Sequence, residues 1–193
     1  MTKWSIMKSL EIKFIDSVIK YDGTQLQPLW IYKNYDLCGD ALVSFIGPAE
    51  VTLQHMVDQE DVKENRPIYS ESMVHFIAEF FDLDLEKTVY RQRLLVAIMK
   101  EILEQKLGKV LIRRGDDIYD EDAKLSVSIA TLSGISTLIH TGINISSHNT
   151  PVKTKGLISD YNLDPTAFSK EVLGAFKNEL ESSWLARCKV RSV

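Results

Sequence analysis

The side chains with the most chemical capacity in this chain lie in one stretch and on one strand. The stretch runs Arg113-Arg-Gly-Asp-Asp-Ile-Tyr-Asp-Glu-Asp-Ala-Lys-Leu-Ser-Val-Ser-Ile-Ala-Thr131 and is followed by His140-Thr-Gly-Ile-Asn-Ile145. It sets a carboxylate, Asp117, seven positions before an ammonium, Lys124. Two readings of Lys124 are open. It is either a solvated lysine opening a strand after the acidic turn Asp120-Glu-Asp122, or an ammonium facing an anionic ligand in a pocket. Arg113 and Arg114 are either a bidentate phosphate clamp or two exposed arginines on a strand end. His75 and Glu79 fall on one face of an alternating run. If that face lines a pocket, they serve as an acid/base pair or as substrate anchors. Otherwise His75 is a satisfied histidine at a sheet edge, and His140 has the same two readings. His55 and His148 read as surface residues.

Several common signatures are absent: there is no Gly-x-Gly-x-x-Gly, P-loop, His-Glu-x-x-His or Gly-x-Ser-x-Gly. The four histidines are too widely spaced to suggest a metal site. Cys38 and Cys188 are the only cysteines, which excludes a disulfide framework and a Cys-x-x-Cys zinc site.

The elements that must position these residues are partly legible. Residues 72–81 alternate as a buried strand, with Ser72, Val74, Phe76, Ala78 and Phe80 on one face and Met73, His75, Ile77, Glu79 and Phe81 on the other. Ala41–Ile46 reads as a strand closed by Gly47-Pro48, and residues 58–67 as a charged surface loop. Residues 11–20 are too short to assign to helix or strand, and Tyr21-Asp-Gly-Thr is a turn signal. The spacing of Leu95, Ile98, Met99, Ile102 and Leu103 predicts a helix over 84–107, capped by Gly108. Asp164-Pro165 opens a second helix whose stripe is Phe168, Val172, Phe176, Leu180 and Trp184. Between the helices, Lys109–Arg113, Asp117–Tyr119, Lys124–Thr131 and Ser136–Ile145 predict consecutive antiparallel strands. Trp4, Trp30 and Trp184 are read as core or interface aromatics.

A chain of 193 residues with 45% hydrophobic and 26% charged residues is expected to form one globular domain over 1–193. The net charge is −4 with Lys and Arg dispersed, so no nucleic-acid surface is expected. The longest apolar run, Leu94–Met99, is too short for a membrane span, and a soluble cytoplasmic protein is expected.

The quoted stretch resembles the biotin protein ligases, which carry an Asp-(Ile/Leu)-x-x-x-x-x-Lys-(Leu/Val)-x-Gly-Ile-Leu hairpin and then a strand ending Gly-Ile-Asn. Asp117, Ile118, Lys124 and Leu125 match the hairpin, and Gly142-Ile143-Asn144 the strand. With the flanking strands and helices, the likeness spans about residues 35–185. The layout is also similar to an uncharacterised, mainly archaeal family of the biotin/lipoate protein ligase (class II synthetase-like) superfamily. The resemblance implies an α+β fold with a central antiparallel or mixed sheet flanked by helices, packed mainly on one side. It implies Lys124 as the ammonium that stabilises phosphate or acyl charge. Asn144 would orient, and Asp117 would order the hairpin or hold a metal-bridged phosphate. Arg113 and Arg114 would meet phosphate, and His75, Glu79, Ser126, Ser128, His140 and Gly142 would contact substrate. It further implies ATP with magnesium as cofactor and a small carboxylate or acyl donor as partner; the apolar strands and scattered aromatics suggest a homodimer.

The chain departs from the pattern at two places. The ligases grip phosphate with a Gly-Arg-Gly-Arg-x-Gly loop, or Arg-Arg and three glycines in lipoate ligases, between the upstream strands. Here that stretch has no arginine before Arg66 and carries Glu50, Asp58, Glu60 and Asp61, which repel phosphate. Val127 replaces the glycine that lets the backbone approach the ligand. Three functions therefore compete: a small-carboxylate ligase or acyltransferase working through an adenylate or thioester, a non-catalytic small-molecule-binding protein, and a homodimer used for assembly.

Overall fold

In the computed structural model, residues 8–65 and 68–193 are described; Trp4 and Arg66, read above, lie outside the described residues. Strand period and helix period decide most of the architecture. Strand β3 (Ile68–Phe80) is the centre of a five-stranded sheet ordered β1-β2-β3-β8-β7. Its neighbours are β2 (Ala41–Val51) and β8 (Thr137–Asn144), both antiparallel to it. One edge is β7 (Ser126–Leu132), antiparallel to β8. The other is β1 (Glu11–Ile15), which runs parallel to β2 and makes the sheet mixed. A separate three-stranded antiparallel sheet holds β4 (Ile112–Arg114), β5 (Asp117–Asp120) and β6 (Ala123–Lys124).

The alternation of β3 sorts its side chains between two layers. Val74, Phe76, Ala78 and Phe80 enter the core beneath the two long helices, α3 (Leu85–Leu107) and α4 (Pro165–Ala186). Ile77 joins a second cluster with Val43, Phe45 and Tyr21 on the opposite face. Both helices begin as their caps predict. The Asp84 side chain accepts from Lys87 N, and the Asp164 side chain accepts from Thr166 N and Ala167 N ahead of Pro165. Gly108 ends α3 at φ 63, in the left-handed region. The short helix α1 (Trp30–Tyr35) lies with the second cluster. Trp30 and Tyr35 meet edge to face there, and Trp184 is partly buried against the main core.

Two local expectations are corrected, and one open assignment is resolved. Gly47-Pro48 does not close β2, which continues to Val51 through a register shift between Gly47 and Ala49. Proline is tolerated there because a bulge asks for no ladder donor. Residues 11–20 hold a strand, β1, and the chain then stays on the β2 edge: Ile19 N donates to Ile46 O at 3.0 Å and Tyr21 N to Pro48 O at 2.9 Å. The charged stretch 58–67 is not loop alone but contains α2 (Gln59–Lys63), opened by Asp58, whose carboxylate accepts from Glu60 N at 2.8 Å.

One buried carboxylate ties the small sheet to the segment that follows β8. Asp120, on β5, is 3% exposed and accepts from Lys109 Nζ at 2.5 Å, Lys155 Nζ at 2.6 Å and Tyr161 Oη at 2.6 Å. Burial alone would raise this carboxyl, but the donors from Lys109, Lys155 and Tyr161 outweigh it and hold it well below the usual carboxylate range. Asp120→Ala is expected to lower stability by about 2 kcal/mol, read from urea unfolding. That is less than a sealed pair would cost, because the Lys109 and Lys155 side chains are 40% and 30% exposed and can turn to water. An unchanged midpoint would remove Asp120 from the structural account.

Candidate functional site

The hairpin that carries Lys124 and the strand that carries Asn144 meet at a cleft of about 860 Å³. Lys124, at the end of β6, extends its ammonium to 2.8 Å from Asp117 Oδ2 across the hairpin. Its backbone is gripped from both sides. Lys124 N donates to Lys153 O at 2.9 Å, and its carbonyl accepts from Asn144 Nδ2 at 3.4 Å. Asn144 Oδ1 in turn accepts from Ser70 Oγ at 3.3 Å. The amide that ends β8 therefore fixes where the lysine leaves the chain. Burial pushes the Asp117 carboxyl up against the pull of the Lys124 ammonium beside it, while Asp116 and Asp61 add to the rise.

Lys124, Asn144, Asp117, Ser126, Ser128 and His140 all line this cleft. Ser126 and Ser128 have structural partners as well. Ser126 Oγ accepts from Ile118 N at 2.9 Å, and Ser128 Oγ bonds Thr141 Oγ1 at 2.8 Å and accepts from Gln92 Nε2 at 2.9 Å. The same Gln92 amide donates to Asp116 at 2.8 Å, placing a second carboxylate on the rim.

Other residues singled out in the sequence are not brought to the cleft. Arg113 and Arg114 sit on the exposed strand β4, where Arg113 Nη1 donates to Gly115 O and Arg114 lies over the Tyr119 ring. Strand alternation and an open edge turn both guanidiniums to the surface, so the expected phosphate clamp is not formed there. Glu79 is 1% exposed and occupied elsewhere: both its oxygens accept from Leu29 N, at 2.9 and 3.0 Å, and Ser136 Oγ donates to it at 2.6 Å. Those bonds hold Leu29 at φ 64 just before α1. Glu79 is thus an anchor rather than half of an acid/base pair with His75. Gly142 offers no open space, because a Cβ there would lie 2.9 Å from Met73 Cε and 3.3 Å from Val127 Cγ2. The methionine has taken the room that the glycine leaves.

His75 is fully buried one layer behind the cleft. Its Nε2 donates to Gly47 O at 3.2 Å and its Nδ1 meets His140 Nε2 at 3.1 Å. Tyr21 stacks on the His140 ring at 3.7 Å between centroids and 14° between planes. Burial lowers His75 to about 4, and burial together with the neighbouring His75 lowers His140 well below the ordinary histidine value, so both rings are neutral at pH 7. Tyr21 was legible only as the start of a turn. The signal that would have found it is the apolar alternation of Ile19 and Tyr21 about Lys20, which continues the pairing along β2.

The rim is acidic. Asp58, Glu60, Asp61, Asp116, Asp117 and Asp122 line the cleft against Lys124 and Lys153, and Lys153 is paired with Asp122 at 2.6 Å. Three of those carboxylates come from α2 and its cap, the stretch in which phosphate-gripping arginines were lacking. Among the described residues no three His, Cys, Asp or Glu side chains come together for a metal ion, and no helix is long and apolar enough to cross a membrane.

Comparison with known proteins puts this geometry in context. The chain superimposes on a solved protein of unknown function from Pyrococcus horikoshi with a TM-score of 0.90 and 37% identity, over 96% of this chain and 100% of that one. It matches the biotin protein ligase of Aquifex aeolicus in complex with biotin and ATP with a TM-score of 0.57 and 16% identity, over 89% of this chain and 71% of that one. The T. acidophilum protein Ta0514 with bound lipoic acid matches with a TM-score of 0.59 and 11% identity, over 92% and 93%. At such low identity these last two show the fold, which is that of the biotin/lipoate ligase catalytic domains: a central mixed sheet flanked by helices. An uncharacterised protein of Methanocaldococcus jannaschii is 44% identical over 143 residues, which is 72% of this chain but 64% of that relative's length. A family model described as Domain of unknown function (DUF366) matches residues 10–191, and the chain belongs to that family.

Proposed function

We infer that the cleft binds a small carboxylic acid through Lys124 and that the protein transfers or ligates the acyl group, carried as an adenylate or a thioester. The observation that supports this reading best is the Lys124 ammonium itself. It stands on the cleft wall, oriented by Asp117 at 2.8 Å and gripped through its backbone by Asn144. An ammonium held in a partly desolvated site favours the charge that builds on a carboxylate or acyl oxygen as the acyl bond changes. Asp117 keeps that ammonium aimed while no acid is bound, and its own burial makes it a weak competitor once one arrives. The fold adds support, since solved proteins that share it hold biotin with ATP, or lipoic acid.

The described residues do not fit a free triphosphate. Six carboxylates face the cleft against two lysines, and each of those lysines is already paired with one of them, Lys124 with Asp117 and Lys153 with Asp122. A single ammonium matches one phosphate or one acyl oxygen, not three linked phosphates. The same acidic rim favours a second reading, a binding protein that keeps the acid pocket and does no chemistry.

The test is a panel of biotin, lipoate, octanoate and amino acids, measured by calorimetry for binding and by pyrophosphate exchange with ATP for activation. Lys124→Ala is expected to weaken the bound acid about 10- to 100-fold, the effect of losing a charge-assisted hydrogen bond. Binding without exchange and without acyl transfer from a thioester selects the non-catalytic reading. Unchanged affinity in Lys124→Ala sinks both.

A further inference from the structure

Part of the apolar wall of the cleft belongs to neither of the protein's two cores. Met73, Val127 and Ile129 line the cleft, yet none of them joins the cluster under the long helices or the second cluster near α1. Met73 comes from β3 and the other two from β7, the strands on either side of β8. Apolar side chains held at a cavity wall without core partners are surface for the apolar part of a ligand. Met73 is nonetheless 1% exposed, so its side chain is already packed against something.

What it packs against is the space above Gly142. This glycine lies on β8, opposite Val127 in register, and has no side chain to fill the gap between the flanking strands. Strands about 4.8 Å apart leave the side chains on either side of it rooted roughly 10 Å apart, a groove with room for one methylene chain. The end of Met73 occupies that groove. A Cβ on Gly142 would stand 2.9 Å from Met73 Cε and 3.4 Å from Met73 Sδ, with Val127 Cγ2 at 3.3 Å. An unbranched thioether with three rotatable bonds fills such a gap closely and can still be displaced. Asn144, whose amide holds the Lys124 carbonyl, pairs with Met73 across the ladder and lies two residues from Gly142, about 7 Å along the strand. A chain that leaves Lys124 and runs along β8 meets the methionine's end.

We propose that Met73 is a plug in the groove over Gly142 and sets the length of acid that the cleft accepts. The ligand class is an acid with a narrow saturated chain that ends where the methionine begins. This rests on the carboxylate-binding reading above and narrows it. Met73 is the specificity-determining residue, and Gly142 supplies the groove that it closes. Each methylene laid against the wall adds about fourfold in affinity until the chain reaches Met73 Cε. Any further carbon has to push the thioether aside or stay in water, and adds nothing.

Calorimetry on the full chain with straight saturated acids of increasing length reads the plug. Wild-type affinity is expected to climb about fourfold per carbon and then stop at one length. Met73→Ala removes Cγ, Sδ and Cε, so its climb is expected to run about three carbons further, the volume vacated. Adding Gly142→Ala to Met73→Ala refills the groove and is expected to bring the stop back. Carbon-13 spectra of the methionine methyl groups read the same contact on the wild-type chain, whether or not Met73→Ala folds. The Met73 signal, assigned with Met73→Leu, is expected to move with acids at or past the stop and to stay still with shorter ones. A climb without a stop in wild type, the same stop in Met73→Ala, or a Met73 methyl unmoved by every acid that binds overturns this inference. With Lys124→Ala still weakening the acids, each of those results leaves the parent reading standing. Binding of no acid at all overturns the parent reading and this one with it.

Discussion

Gly47→Ala is expected to lower the unfolding free energy by several kcal/mol, on the order of 3 or more. The added Cβ would sit 1.8 Å from Ile19 O and 2.6 Å from Ile19 C, and both are backbone atoms that no rotamer change can move. The segment they belong to is bonded in place by Ile19 N to Ile46 O at 3.0 Å, Tyr21 N to Pro48 O at 2.9 Å and Glu50 N to Tyr21 O at 2.9 Å. Relief requires peeling residues 19–21 from β2, which breaks those bonds and lifts Tyr21 from His140. Gly174→Ala is the matched control. It lies inside α4 with nothing within 4 Å of the added Cβ, and it should stabilise by about 0.5–1 kcal/mol through helix propensity. Urea unfolding of both variants reads the contrast. Gly47→Ala with a midpoint near wild type would mean that the 19–21 segment is not seated on β2 as described.

That close approach also marks where sequence reasoning stopped. Periodicity is a property of long elements that bury one face, so β3, α3 and α4 were legible from their apolar positions and caps. Strand β1 was not, because five edge residues alternate too briefly to separate strand from helix. Gly47-Pro48 reads as a stop in sequence, and only the third dimension shows that the glycine makes room for Ile19 and that the proline sits in a bulge. The site divided in the same way. Lys124, Asp117 and Asn144 are linked by one hairpin and the strand beside it, and their spacing suffices to place them together. Arg113 and Arg114 share the hairpin but fall on its outer strand, a matter of which edge of the small sheet is open. Glu79 was assigned to the same strand face as His75, which is correct, yet that face is covered along its length by different things. Leu29 and Ser136 lie over Glu79, while Gly47 and His140 meet His75. A strand face is a local property, whereas its cover is made by residues more than 20 positions away.

Acid is expected to unfold this protein earlier than its carboxylate pairs alone would dictate, and His75 is the main cause. An unfolded His75 takes up a proton near its ordinary value of 6.5, whereas the folded one, sealed among Tyr21, Phe45 and His140, resists until about pH 4. The folded value is depressed, so the unfolded state binds more protons in this window and stability rises with pH. The contribution is complete above pH 6.5 and is lost as pH falls toward about 4, by about 3 kcal/mol at the lower end. His140, lowered in the same direction, adds to the loss. Asp117 works against it, since a raised carboxyl is protonated earlier in the folded state and its burial becomes less costly as pH falls. Asp120 and Asp82 are lowered below the ordinary carboxylate value, so their losses belong to more acid solution. His75→Gln keeps a donor for Gly47 O and an acceptor for His140 while removing the titration. Urea unfolding at pH 7 and pH 4.5 should therefore show a clearly smaller difference in the variant than in wild type, and equal differences would exclude His75 as the source. The same neutrality bears on recognition. Two uncharged imidazoles behind the cleft offer an incoming acid no positive charge at pH 7, so on the reading proposed above its carboxylate would be met by Lys124.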